Sequence, residues 1–164
     1  GASTGRVGMT CYAIDTSPAM MDTLKDRYPD VTPIVGDIAT MPDLPMPADF
    51  MACLYVLQFM AGRQRSYALD WIKRNLAPNG VLILAQKELE PYRHASMFSR
   101  TYYNLRRRNG YTQEEIDKKS AALKNSMWPV SPGEMSWELA QRSLSYTETT
   151  RWVQFTSGVV THRK

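Results

Sequence analysis

Two uninterrupted apolar runs, residues 50–57 (FMACLYVL) and 81–85 (VLILA), constrain this chain more than any other feature. A strand with one wet face alternates apolar and polar residues, whereas one apolar throughout is covered on both faces, as in helix-flanked parallel sheets. Between the runs Leu69, Ile72 and Leu76 recur at helical spacing across residues 66–76, and Pro78-Asn79-Gly80 stops them. The order strand, helix, strand is the α/β signature, with the first run expected at the centre of a sheet.

The flanking segments extend the pattern. Residues 10–14 (TCYAI) read as a strand ending at Asp15, after which Thr16 or Ser17 caps a helix with Pro18 in its first turn. Met20, Met21, Leu24 and Tyr28 form the apolar face of that helix, and Pro29 ends it. Residues 31–35, interrupted by Pro33 and closed by Gly36-Asp37, read as a strand near a sheet edge. Beyond residue 87 come two polar helical stretches, 92–108 and 112–125, turning at Asn109-Gly110; residues 88–130 therefore read as a helical cap. A helix over 135–143 follows, then strands 146–155 and 158–161 joined by a turn at Thr156-Ser157-Gly158, a terminal antiparallel hairpin. With 164 residues and 43% hydrophobic content, a single domain over 1–164 is expected.

Charge and cysteine usage bound the function classes. A net charge of +4 permits an anionic partner without requiring one. Cys11 and Cys53 sit in apolar runs without metal-site spacing and read as buried thiols, which sets a reduced, cytoplasmic compartment as the expectation. His94 and His162 have no metal-spaced partner and read as surface residues, so no metal site is expected. No apolar run approaches the roughly 18–20 residues that span a bilayer, and no membrane association is expected.

The candidate chemistry lies at strand ends. Asp15 can accept both hydroxyls of a ribose, or simply cap the following helix. Asp37, in the Gly36-Asp37-Ile38 turn, can take an adenine amino group while the Ile38 amide takes a ring nitrogen; a plain turn aspartate is the alternative. Together, at consecutive strand ends, the two acids favour a nucleoside. Gly1-Ala2-Ser3-Thr4-Gly5 is a small-residue cluster able to let backbone approach a ligand, or an expression remnant. Only residues 6–10 separate it from the first strand, too few for the helix of a right-handed crossover, so natural segments are expected to be missing before Gly1 and between about Gly5 and Thr10. Arg93, Arg100, Arg106, Arg107 and Arg108, interleaved with Tyr92, Tyr102 and Tyr103, form a cationic face suited to RNA phosphates, to solvent or to a subunit contact.

The segments Ala13-Ile14-Asp15-Thr16-Ser17-Pro18-Ala19-Met20, Gly36-Asp37-Ile38, Leu57-Gln58-Phe59, Asn75-Leu76-Ala77-Pro78-Asn79-Gly80, Asn109-Gly110-Tyr111 and Trp152-Val153-Gln154 give the chain a family likeness. It resembles class I S-adenosylmethionine (SAM)-dependent methyltransferases and, more narrowly, the carboxy-SAM synthases of tRNA wobble-uridine modification. The resemblance implies a Rossmann-like sheet whose first strand and helix are missing from the chain. It implies SAM or carboxy-SAM as cofactor, with Gly1, Ala2 and Ser3 near its methionine part, Asp15 and Thr16 at the ribose and Asp37 and Ile38 at the adenine. Leu54 stands where the family has a cofactor-side Asn, and Ala140 where it has the Arg that holds the added carboxylate; Arg142, half a turn on, is the candidate substitute. The resemblance implies first a synthase-type group transfer, moving the carboxyl of prephenate onto the activated methyl of SAM. Ordinary methyl transfer would need an acceptor pocket near Tyr55, Gln58 and the cap. A third reading is a degenerate, non-catalytic binding subunit. The family also implies a homodimer.

Overall fold

The computed structural model describes residues 8–89 and 95–163, and the chain forms two compact units that meet in sequence at Pro42 and Asp43.

The first unit is a β-α-β motif. Strand β1 (Cys11–Asp15) pairs in parallel with β2 (Val31–Val35), Asp15 opposite Val35, and α1 (Pro18–Arg27) connects them. Ser17 is the N-cap of α1, its hydroxyl accepting the Met20 N–H at 3.3 Å, and Pro18 fits the first turn because it has no N–H to satisfy. The expected apolar face of α1 is only partly covered: Met21 is buried, but Met20 and Tyr28 are exposed. Cys11 is half-buried rather than buried.

The second unit carries a four-stranded sheet in the order β3-β4-β6-β5. Strand β3 (Ala48–Leu54) runs parallel to β4 (Leu76–Lys87), and β6 (Phe155–His162) lies antiparallel to β4 and to β5 (Leu144–Trp152). Helix α2 (Gly62–Asn75) connects β3 to β4 after a 3-10 turn at Leu57–Phe59. Ala68, Leu69 and Ile72 of α2 join Leu82, Leu84, Leu144 and Val160 of the sheet as buried core. Each of the leucine, isoleucine and valine side chains contributes about 1.5–3 kcal/mol of transfer free energy. The polar segment after β4 forms α3 (Ala95–Arg108) and α4 (Gln113–Leu123), the latter opened by a capping box between Thr112 and Glu115. A short α5 (Glu134–Ala140) precedes the hairpin.

Three expectations are corrected. The apolar run at residues 50–57 is not central: β3 is an edge strand of this sheet, with Phe50 and Leu54 more than half exposed. Pro78-Asn79-Gly80 does not stop a helix but lies inside β4, where the register against β3 shifts. Glycine is required there, since a β-carbon at position 80 would lie 2.8 Å from the Ala48 carbonyl oxygen. The hairpin reverses at Val153-Gln154 rather than at residues 156–158, with Val153 in the left-handed region at φ 56°. Gly158 instead sits in β6 because a β-carbon there would come within 2.5 Å of the Thr147 carbonyl oxygen and of the Tyr146 ring.

Candidate functional site

In the first unit both candidate carboxylates stand at strand carboxyl ends. Asp15 Oδ1 accepts the Ser17 N–H at 2.8 Å, and the Gly36 N–H donates to the Asp15 carbonyl at 3.0 Å, tying the two strand ends together. Asp15 therefore shapes the turn while Ser17 caps the helix, and its exposed carboxylate has further acceptor capacity. Asp37 Oδ1 accepts the Ala39 N–H at 2.8 Å, and its carbonyl accepts from Thr40 and Met41. The half-buried Ile38 between them offers an amide N–H that has no partner among the described residues. Thr16 is exposed beside Asp15. Gly1, Ala2 and Ser3 lie outside the described residues.

The second unit separates the remaining candidates. Tyr55 follows β3 with φ 60°, held by its N–H to the Ala85 carbonyl at 2.7 Å, and its ring reaches a cavity of about 340 Å³. Leu54 ends β3 opposite Ala85, half exposed. Gln58 does not line that cavity; it is buried, its Oε1 accepting the Lys87 N–H at 2.6 Å and its carbonyl the Trp128 N–H. Arg142 is likewise elsewhere. Its Nε meets Asp70 at 2.7 Å, Nη1 the Glu138 carbonyl at 2.9 Å and Nη2 the Ser66 hydroxyl at 2.6 Å, so its guanidinium is committed to joining α5 to α2. Of Tyr55, Gln58 and Arg142, Tyr55 faces the cavity, while the polar ends of the other two close structural hydrogen bonds.

The arginine face also changes. Arg106 is buried between Tyr102 and Tyr111, its guanidinium carbon 5.6 and 4.7 Å from their ring centroids, and presents no free face to a phosphate. Arg100, Arg107 and Arg108 are exposed, with Arg107 bonded to Gln113 and Asn104. Tyr92, Arg93 and His94 lie outside the described residues. His162 is half-buried rather than a surface residue: Nε2 donates to the Leu76 carbonyl at 3.0 Å and Nδ1 accepts from Lys73 at 2.6 Å.

Sequence reasoning missed two features. The cavity is walled by Tyr102, Trp152 and Phe155 together with Tyr55; the signal was an aromatic on either side of a two-residue reversal, obscured by placing the turn too late. The other is Arg65, 6% exposed, which bonds Glu134, Glu138 and the carbonyls of Met60 and Trp128. The spacing of Glu134 and Glu138, one helical turn apart, was its trace. Ser131 donates to Glu134 through N–H and hydroxyl, which with Arg65 holds that carboxyl below the usual glutamate range. Among the described residues no cluster of three or more His, Cys, Asp or Glu side chains can hold a metal, and no helix is long and apolar enough to cross a membrane.

The first unit thus carries carboxylates at the end of β1 and beyond β2 of a parallel β-α-β motif, and the second a parallel strand pair extended by an antiparallel hairpin, both of them α/β elements. The methyltransferase domain family matches residues 2–84, just over half of the chain, and the chain belongs to that family. It is similar to the carboxy-S-adenosyl-L-methionine synthases of Escherichia fergusonii, 32% identical over 87% of this chain and 59% of the relative, and of Psychrobacter arcticus, 32% identical over 90% and 57%. The chain thus spans less than two thirds of the length of these relatives. Its fold matches a TehB-like SAM-dependent methyltransferase from Corynebacterium glutamicum with a TM-score of 0.62 at 15% identity, covering 94% of this chain and 68% of that one.

Proposed function

We propose that this chain binds SAM and serves a SAM-dependent group transfer, with methyl transfer to a small-molecule acceptor as its reaction. The observation that carries the reading is the pair Asp15 and Asp37 at the ends of adjacent parallel strands, with the unpartnered Ile38 amide beside the second acid. Carboxylates so placed suit a ribose diol and an adenine amino group, and an amide donor suits a ring nitrogen. Bound SAM would supply a methyl activated by a sulfonium, transferable to an acceptor lone pair with a neutral thioether as the leaving group. The side chains present would then act by orientation and exclusion of water, with the acceptor proton passing to solvent.

The similarity to the synthases favours a second reading, formation of carboxy-SAM from SAM and prephenate. A carboxylate held in a dry pocket requires a cation, preferably a bidentate one. Ala140 stands at the family's arginine position, and Arg142 is committed to Asp70, Ser66 and the Glu138 carbonyl. This puts methyl transfer first.

Mass spectrometry of the small molecule released on denaturation separates the two: SAM or its demethylated product is expected, and carboxy-SAM would reverse the order. Calorimetric titration with SAM tests the binding itself. Asp15→Ala is expected to weaken it more than tenfold, about 1.4 kcal/mol; unchanged affinity would leave Asp15 as a turn residue.

A further inference from the structure

The charge of the chain is unevenly placed. Of its 20 Lys and Arg, seven lie in residues 95–125, against three of its 16 Asp and Glu. This stretch therefore carries the whole excess of +4, and the other thirteen of each sign cancel. It comprises α3, the turn at Asn109-Gly110 and α4, all within the second unit. On α3, Arg100 and Arg107 stand seven residues apart and hence on one face, about 10 Å along the axis, with the exposed Arg108 beside them. Arg107 is steadied without being neutralised. Its Nε and Nη2 donate to Gln113 Oε1 at 3.0 and 2.7 Å, and its Nη1 to Asn104 Oδ1 at 2.9 Å, both uncharged amides. The three acids of the stretch lie on α4: Glu115 is engaged in the capping box with Thr112, Asp117 accepts from the Gln113 amide at 2.8 Å, and Glu114 is exposed.

An aromatic platform adjoins these charges. The Tyr111 N–H donates to the Arg106 carbonyl at 3.1 Å and the Gly110 N–H to the Arg107 carbonyl at 3.0 Å, with Gly110 at φ 87°. This glycine-closed helix end fixes where residue 111 emerges. There the buried Arg106 guanidinium lies 4.7 Å from the centroid of the Tyr111 ring and backs it, yet Tyr111 stays 46% exposed. A ring held from behind and still open to solvent, next to guanidiniums that keep their charge, suits a single nucleic-acid strand. Its bases stack on such a ring whatever their identity, and its phosphates take the forked donors of arginine. A duplex keeps its bases stacked on one another and offers the ring none. An acidic peptide or an anionic membrane answers the charge but not the platform. We propose that α3 and the start of α4 form a docking surface for single-stranded RNA, an unpaired loop or end, with Arg100, Arg107 and Arg108 on phosphates and Tyr111 against a base. The inference does not rest on the SAM reading, and no residue of the first unit takes part in it.

The test is fluorescence anisotropy of a fluorescein-labelled, unstructured RNA of about 12 nucleotides titrated with the full chain. Binding is expected at about 50 mM salt and should weaken steeply towards about 200 mM. The variant Arg100→Gln/Arg107→Gln/Arg108→Gln is expected to lose at least about tenfold in affinity and to flatten the slope of log K against log salt by about two, the share of three phosphate contacts. Removing three exposed cations elsewhere, with Lys25→Gln/Arg27→Gln/Arg63→Gln, is expected to change affinity by less than about threefold. Tyr111→Leu is expected to weaken binding about fivefold with the salt slope unchanged, and Tyr111→Phe to restore it. Circular dichroism verifies that each variant is folded; should Tyr111→Leu fail to fold, the two triple variants decide. No binding at about 50 mM salt, equal losses in the two triple variants, or a folded Tyr111→Leu that binds undiminished would overturn the inference. So would tighter binding of the same sequence as single-stranded DNA or as a duplex, of an oligoglutamate peptide, or of phosphatidylserine vesicles.

Discussion

Gly158 and Cys53 show how single residues act through what surrounds them. At Gly158 a methyl group would meet the carbonyl oxygen of Thr147 and the Tyr146 ring within 2.5 Å, and the backbone partner cannot move aside without parting β5 from β6. Gly158→Ala is therefore expected to cost about 1–3 kcal/mol as an overpacked site, read as a lower urea midpoint with an unchanged slope. Cys53 is buried in β3, and burial pushes its thiol from 9.0 up to about 12, the Leu57 amide offsetting part of the rise. A raised folded value means that the thiol's contribution to stability is complete below pH 9.0 and is lost as pH rises towards about 12. At pH 8, Cys11 is expected to react with an aromatic disulfide reagent in the native protein and Cys53 only after unfolding; equal rates would contradict its burial. The positions of these residues were legible unequally. Asp15 and Asp37 were placed correctly at strand ends because a strand followed by a turn is a local pattern. Gly158 was misread as a turn, since its reason for being glycine is the Tyr146 ring on a neighbouring strand, a contact that no local pattern encodes.

Elements are held together in the second unit by buried arginines rather than by apolar contact alone. Arg65 links α2 to α5 through Glu138 at 3.1 Å and Glu134 at 3.3 Å, with its remaining donors on the carbonyls of Met60 and Trp128. Removing it leaves Glu138, only 15% exposed, without its cation. Arg65→Met is expected to destabilise the chain by about 3–5 kcal/mol, whereas Arg65→Met with Glu138→Leu should recover much of the loss, because the unpaired buried charge goes with the second change. A double-mutant cycle by urea denaturation checks the coupling. The helices, the parallel crossover and the hairpin were legible as elements from apolar periodicity. What periodicity could not supply was strand order: the apolar run at residues 50–57 looks the same whether its strand lies at the centre or the edge of a sheet. The Arg65 network was hidden for a related reason, since an arginine on a polar-looking helix face declares nothing about burial.

The two units of the chain differ in how much they bury, and the difference ties stability to the proposed binding. Among the described residues up to Pro42 only Met21 is buried, and the β1-β2 sheet has two strands of five residues. The unit from Asp43 onward holds the remaining buried side chains around a four-stranded sheet. A two-stranded sheet with so little core opens at low free energy, so amides of β1 and β2 should exchange with solvent well before those of Leu82, Leu84 and Val160. The candidate nucleoside residues Asp15, Asp37 and Ile38 all belong to the less protected unit. Ligand that binds only the closed form stabilises it by RT ln(1 + [L]/Kd), about 2.7 kcal/mol at a hundredfold excess over Kd. Hydrogen exchange measured with and without SAM at that excess should therefore slow β1 and β2 amides by about a hundredfold where they exchange through opening of this unit. Amides of β4 and β6 should gain less wherever their own opening leaves the first unit intact. Uniform slowing of both units by SAM would mean that they open as one, and no slowing anywhere would remove SAM as the ligand of the first unit.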